Sequence, residues 1–164
     1  MTDSCIRWNG GTGRCKDSIP EQIKLQMHSA RTATLELNTP GRGFHEISRQ
    51  LQASVEGSGV SSGLCHVFLR HTSASLLITE NADSDVLRDL EQFMAKLAPD
   101  GDPSYRHRSE GPDDMPAHIR SVLTCSEVSV PIRQGRLALG TWQGVYLWEH
   151  RLRPHRRRID VTIL

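Results

Sequence analysis

Two histidines and three carboxylates fall within the fourteen residues from Tyr105 to His118, namely His107, Glu110, Asp113, Asp114 and His118. Imidazole nitrogens and carboxylate oxygens are the common protein ligands of zinc, carboxylates also hold magnesium, and both groups move protons. The stretch reads as a loop entering a short helix, so it predicts a polar, metal-capable site around His107, Asp113, Asp114 and His118. A single carboxylate before a helix is explained by capping, worth about 1 kcal/mol. Two adjacent carboxylates exceed what one cap requires. Asp114 and His118 are four apart and share a helix face, where the carboxylate can orient the imidazole and set its tautomer. The alternative without a metal is a set of histidines hydrogen-bonded to carboxylates and helix ends.

A second polar group precedes another helical pattern. Asp83 reads as its N-cap, while Glu80 and Asn81 read as site residues, because a helix N-terminus also attracts anions. Thr72 and Ser73, following His71, would add hydroxyl donors to such a site. The run from Arg151 to Arg158 holds five arginines in eight residues. Pro154 marks a turn between two strands, so the run reads as a solvated hairpin tip. Arg158, nearest the following strand, is the arginine best placed to meet a phosphate. The four cysteines show no pairing with a nearby base, so a thiol nucleophile is not expected, and no GxSxG elbow supports a serine triad.

The elements that must position these groups follow from periodicity. Lys24 to Leu37 alternates, with Leu25, Met27, Ala33, Leu35 and Leu37 on one face, as in a half-buried strand or strand pair. Ile47, Leu51 and Val55 recur at helical spacing before Gly57 and Gly59 end the segment. Gly63 to Leu69 is apolar on both faces and reads as a central strand; Ala74, Leu76 and Ile78 make another. Val86, Leu90, Phe93, Met94 and Leu97 line one face of an amphipathic helix. A further helix starts near Asp114, with Pro116 in its first turn, and runs to about Cys125. The last third is strand-rich, over 128–132, 137–139, 142–150 and 159–164. Along 142–150 the aromatic row Trp142, Tyr146 and Trp148 reads as packing, with Gln143 and Glu149 as polar ends of the other face. Strands, then helices, then strands predict an α+β fold.

At 164 residues the chain is one domain by length. Residues 1–22, with Asn9-Gly10-Gly11 and little periodic apolar content, are expected to be a flexible extension, leaving 23–164 as the single domain. A net charge of +1 argues against a general nucleic-acid binder. No apolar run approaches the roughly 20 residues of a membrane helix. The four cysteines are scattered without a CxxC pair, which fits a reducing compartment better than a disulfide framework, although four could still pair. With no signal-peptide pattern at the N-terminus, a cytoplasmic location is the default expectation.

Five ordered blocks resemble the signature of the YjbQ family, also named secondary thiamine-phosphate synthase. They are His71-Thr72-Ser73-Ala74-Ser75, Thr79-Glu80-Asn81-Ala82-Asp83, Tyr105-Arg106-His107, Asp113 to His118, and Gly140 to Gly144. The resemblance covers about residues 24–164. It implies a sandwich-like α+β fold of antiparallel sheets with two to three helices, assembled as a homotrimer with clefts between subunits. It implies His71, His107 and His118 as ligands of zinc or magnesium, since three imidazoles leaving one open position suit catalytic zinc. It also favours Gln143 as a site residue, beside Asp113, Asp114 and Glu80 as catalytic groups and Thr72, Ser73, Asn81 and Arg158 as substrate contacts. The implied reaction joins an aminopyrimidine diphosphate to a thiazole phosphate with release of diphosphate, as a weak, secondary activity. The physiological substrate would be a small phosphorylated molecule. A rival of another class is a non-catalytic trimeric protein holding a small anion or metal in the same pocket.

Overall fold

The computed structural model describes residues 30–164. The extension expected over 1–22 and the strand expected to begin at Lys24 lie outside the described residues in whole or in part. From Arg31 onward the alternation does form strand β1 (Arg31–Thr39), followed by β2 (Gly43–Glu46) and helix α1 (Ser48–Ser58). Strands β3 (Ser62–Leu69) and β4 (Ala74–Glu80) precede α2 (Ser84–Leu97) and α3 (Asp114–Leu123). Strands β5 (Glu127–Arg133), β6 (Arg136–Leu137), β7 (Gln143–Glu149) and β8 (His155–Ile163) complete the α+β fold.

The strands form two antiparallel sheets, one in the order β1-β8-β3-β5-β6 and one in the order β2-β7-β4. β3 is the middle strand of the larger sheet, as its apolar run predicts. It alternates in burial all the same, with Cys65, Val67 and Leu69 buried and Phe68 outside. The core joins both sheets and one helix. Val67, Val130, Ile159 and Val161 come from the large sheet, Leu76, Val145 and Leu147 from the small one, and Ile47, Leu51 and Val55 from α1 and the residue before it. Ile47, Leu51 and Val55 lie four apart, so all three meet the sheets along one stripe.

Two expectations are corrected by the topology. β7 and β8 belong to different sheets, so Arg151 to Pro154 is a crossover between layers and not a hairpin tip. Glu149, read as a polar end of its strand face, has no solvent exposure. A charge so buried requires a partner. Arg157 supplies it through Nε and Nη2, at 2.7 and 2.5 Å from the two carboxylate oxygens, and the Thr39 hydroxyl donates at 2.8 Å. Burial opposes ionisation of Glu149, but these donors outweigh it and hold its pKa below the usual value.

Helix α2 keeps the expected N-cap, with the Asp83 carboxylate accepting from the Asp85 N–H at 2.8 Å. Its apolar stripe behaves differently. Only Met94 is buried, while Phe93 is 63% and Leu97 54% exposed. A polar clamp helps to hold the helix. Glu91 accepts from Arg120 of α3 at 2.6 Å and from the Trp148 indole of β7 at 2.7 Å. Trp148 in turn stacks on Phe44 of β2, with ring centroids 4.3 Å apart, so the aromatic row does pack. Trp142, one residue before the strand, stays 65% exposed.

Candidate metal centre

The loop before α3 and the first turn of that helix converge on one carboxylate. Asp114 is the first residue of α3, and with Pro116 and Ala117 it faces inward. Pro116 is tolerated there because first-turn N–H groups have no partner within the helix. Neither aspartate caps the helix. Asp113 holds the N-cap position without a side-chain cap bond. Its Oδ2 instead accepts from the Leu152 N–H at 2.9 Å and from Arg151 Nε at 3.0 Å. Burial works against this charge, but the two donors prevail and the Asp113 carboxyl titrates below its ordinary value.

Asp114 is tied to the same arginine through Oδ1 and Arg151 Nη1. Its other oxygen, Oδ2, lies 2.6 Å from His107 Nε2 and 3.3 Å from His118 Nε2. The three ligand atoms lie within 4.8 Å of one another. The carboxylate is 3% exposed, whereas His107 and His118 are 40% and 36% exposed, so the group opens to solvent on its imidazole side. His118 Nδ1 stands 3.1 Å from the Thr72 carbonyl, an acceptor, so Nδ1 carries a proton. In a neutral ring Nε2 then holds a lone pair directed at a carboxylate oxygen. Such an arrangement calls for a proton or a cation between them.

The predicted site residues divide into three places. His107, Asp114 and His118 come together, with Asp113 behind them on Arg151. His71 stands outside this group. Its Nε2 accepts the Arg158 backbone N–H at 2.9 Å, and the carboxylate of Asp114 occupies the place expected for a third imidazole. Burial, followed by the nearby Arg157 charge, lowers the His71 pKa and keeps the ring neutral. His71 and His118 nevertheless line one groove of about 470 Å³, together with Phe68, Arg70, Ala74 and Val122. Thr72 contributes its carbonyl to His118, and the Ser73 hydroxyl is taken by Arg157 Nη2 at 3.1 Å.

Glu80, Asn81 and Gln143 form a separate cluster at the far end of β4. That strand's seven residues span roughly 20 Å at about 3.3 Å each. Glu80 pairs in register with Gln143, and Asn81 donates to the Gln143 carbonyl at 3.3 Å. Gln143 Oε1 closes its own turn by accepting from the Gly140 N–H at 2.9 Å. Gly144 completes the arrangement by sparing space. A Cβ there would sit 2.9 Å from the Tyr146 ring and 3.2 Å from Asn81 Cβ. Register and close packing hold Asn81, Gln143 and Gly144 together here.

Arg151 is the residue that sequence reasoning missed, because the run of arginines suggested a solvated tip. The available signal was the carboxylate pair itself, since two buried negative charges need a cation and Arg151 starts the crossover that passes them.

Among the described residues, two antiparallel sheets, three helices and an open histidine–carboxylate cluster that could hold a metal ion define a class of small α+β proteins. The chain belongs to the YjbQ/UPF0047 family, since the family model described as UPF0047 protein YjbQ-like matches residues 33–164. It is 57% identical over 129 residues to UPF0047 protein sll1880 of Synechocystis sp., covering 79% of this chain and 88% of that protein. With UPF0047 protein YjbQ of Salmonella typhimurium it shares 44% identity over 131 residues, or 79% of this chain and 94% of the relative. A crystal structure of an uncharacterised YjbQ/UPF0047 protein from Clostridium acetobutylicum superposes with a TM-score of 0.75 at 38% identity, covering 80% of this chain and 99% of that one. The conserved hypothetical protein TT1486 of Thermus thermophilus gives 0.73 at 38% identity, over 80% and 99% of the two chains.

Proposed function

We propose that the chain is a metal-dependent enzyme acting on small phosphorylated molecules, with zinc or magnesium held by His107, Asp114 and His118. The observation that carries this reading is the approach of His118 Nε2 to Asp114 Oδ2, 3.3 Å apart, beside His107 Nε2 at 2.6 Å. Around that point Asp113, Asp114 and Arg151 leave one negative charge uncompensated, and the two imidazoles add lone-pair donors. Nitrogen ligands favour zinc over magnesium. An ion held there supplies Lewis-acid charge against a phosphate or diphosphate group.

The protein's own residues fix the rest. Arg151 holds both aspartates in place, so the Asp114 carboxylate does not swing towards solvent. The Thr72 carbonyl sets the His118 tautomer and leaves Nε2 as the ligand atom. His107, on the exposed loop, offers Nε2 as the second imidazole ligand. A condensation of an aminopyrimidine diphosphate with a thiazole phosphate, as in secondary thiamine-phosphate synthases, fits as a weak side reaction. A homotrimer is part of the proposal, supported by Phe93, Leu97 and Val122, which leave apolar surface uncovered within one chain. Among the described residues no helix is long and apolar enough to cross a membrane. Cys65 and Cys125 are free thiols, which supports the cytoplasm as the proposed location.

Elemental analysis of the purified protein tests the centre. About one zinc per chain is expected, lost from the His107→Ala, Asp114→Asn and His118→Ala variants. Wild-type metal content in all three would remove the basis for the reading. A screen of phosphorylated metabolites against the loaded protein then identifies the substrate.

A further inference from the structure

Three arginines gather where the large sheet meets the β3–β4 loop. Arg156 and Arg158 are two apart on β8 and share its outer face, which the buried Arg157 and Ile159 do not. Arg70 follows the end of β3, and its N–H donates to the Arg158 carbonyl at 3.2 Å, which brings the third arginine alongside. Among the described residues, Arg70, His71, Arg156 and Arg158 line a cleft of about 330 Å³. Neighbouring like charges on one face of a sheet destabilise it, so the arrangement needs an account. Among the described residues two carboxylates pair with the arginines, and neither lines the cleft. Glu36 on β1 bonds Arg156 and lies 3.4 Å from Arg158, and Asp160 lies 3.6 Å from Arg70. Three guanidiniums against two carboxylates leave one positive charge, and the guanidiniums remain 52%, 61% and 55% exposed at Arg70, Arg156 and Arg158.

His71 joins this cleft to the metal-side groove. The Arg158 N–H donates to its Nε2, so in the neutral ring the proton sits on Nδ1 and makes that nitrogen a donor. Arg70 and His71 line both spaces, while His118 lines only the groove. Phe68, Leu69, Ala74 and Val122 give the groove an apolar wall, with Thr72, Ser121 and Ser126 beside them. A largely apolar groove that carries His118 of the metal-capable group thus shares Arg70 and His71 with a donor-rich cationic cleft.

We infer that Arg70, His71, Arg156 and Arg158 form a phosphate subsite, which seats the phosphate of a phosphate ester whose compact apolar or aromatic body lies in the groove towards His118. Guanidinium forks match phosphate oxygens in pairs and are the side chains suited to this task. His71 is on this view a phosphate-subsite donor. The orientation of the ester rests on the proposed metal centre; the phosphate cleft does not.

Titration calorimetry of the full chain with inorganic phosphate, at fixed ionic strength, tests the inference. The double variant Arg70→Gln/Arg158→Gln is expected to bind phosphate at least about tenfold more weakly, with zinc content unchanged. Arg70→Gln alone should give a smaller loss in the same direction. Arg153→Gln removes the same charge from an exposed position outside the cleft and should leave binding as it was. Phosphate binding that survives in the double variant would overturn the inference. So would an equal loss in Arg153→Gln, which would mean attraction to bulk charge only. Loss in Asp114→Asn with retention in the double variant would place the phosphate on the metal and also overturn it. If the wild type takes up no zinc but the double variant still loses phosphate, the metal centre fails and the phosphate cleft stands.

Discussion

Asp114→Asn separates the metal centre from the scaffold that carries it. In the wild type Asp113, Asp114 and Arg151 sum to one negative charge, with Asp114 3% exposed. The amide keeps an oxygen for Arg151 and removes that charge. Without metal, the change relieves an unbalanced buried carboxylate, so the stability of the metal-free protein should move by no more than about 1 kcal/mol. With metal the outcome reverses, because an anionic ligand becomes a weak neutral one, and zinc affinity should fall by about 100-fold or more. Zinc at a hundred times its Kd stabilises the wild type by about 2.7 kcal/mol, which for a chain of this size is roughly 5–11 °C in Tm. At the same zinc concentration a hundredfold weaker site gains only about 0.4 kcal/mol, or roughly 1–2 °C. Differential scanning fluorimetry with and without zinc reads both quantities in one experiment. An Asn variant with the full wild-type zinc shift would show that Asp114 is not a ligand. A large loss of stability without zinc would show that the carboxylate serves packing first.

Asp113→Asn is the scaffold counterpart: its contacts are Arg151 and the Leu152 N–H, so it should lose about 1–3 kcal/mol in urea denaturation and keep its zinc. His71→Ala should leave zinc content unchanged, and elemental analysis showing a loss would return His71 to the ligand set. Arg157→Ala strands the buried Glu149 charge and should cost about 3–5 kcal/mol, checked by chemical denaturation; an unchanged midpoint would mean that water reaches Glu149. His150 is fully buried, and burial followed by the Arg120 charge depresses its pKa from 6.5 to about 3. Between those values the unfolded chain takes up a proton that the folded ring refuses, so stability falls as pH drops from 6.5 towards 3, by up to about 1.4 kcal/mol per unit from this ring. The lowered pKa of Glu149 adds to the loss below its ordinary value, and a denaturation midpoint that stayed flat from pH 7 to pH 5 would contradict the assignment.

Periodicity determined the elements. The alternation of β1, the i, i+4 stripe of Ile47, Leu51 and Val55, and the Asp83 cap are local patterns, and local patterns are written in neighbouring residues. The pairing of Asp114 with His118 was legible for the same reason, since four residues are one helical turn. What tertiary structure decided was which distant charges meet. Thr72 reaches His118 from 46 residues away and Arg151 reaches Asp114 from 37, across a crossover between two sheets that no spacing rule announces. The same crossover buried Glu149 against Arg157, while the antiparallel β4–β7 register set Glu80 beside Gln143 at the opposite end of β4 from Ala74. A sequence states that a carboxylate needs a partner, because burying a lone charge is costly; only the packing of one layer on the other selects which arginine answers.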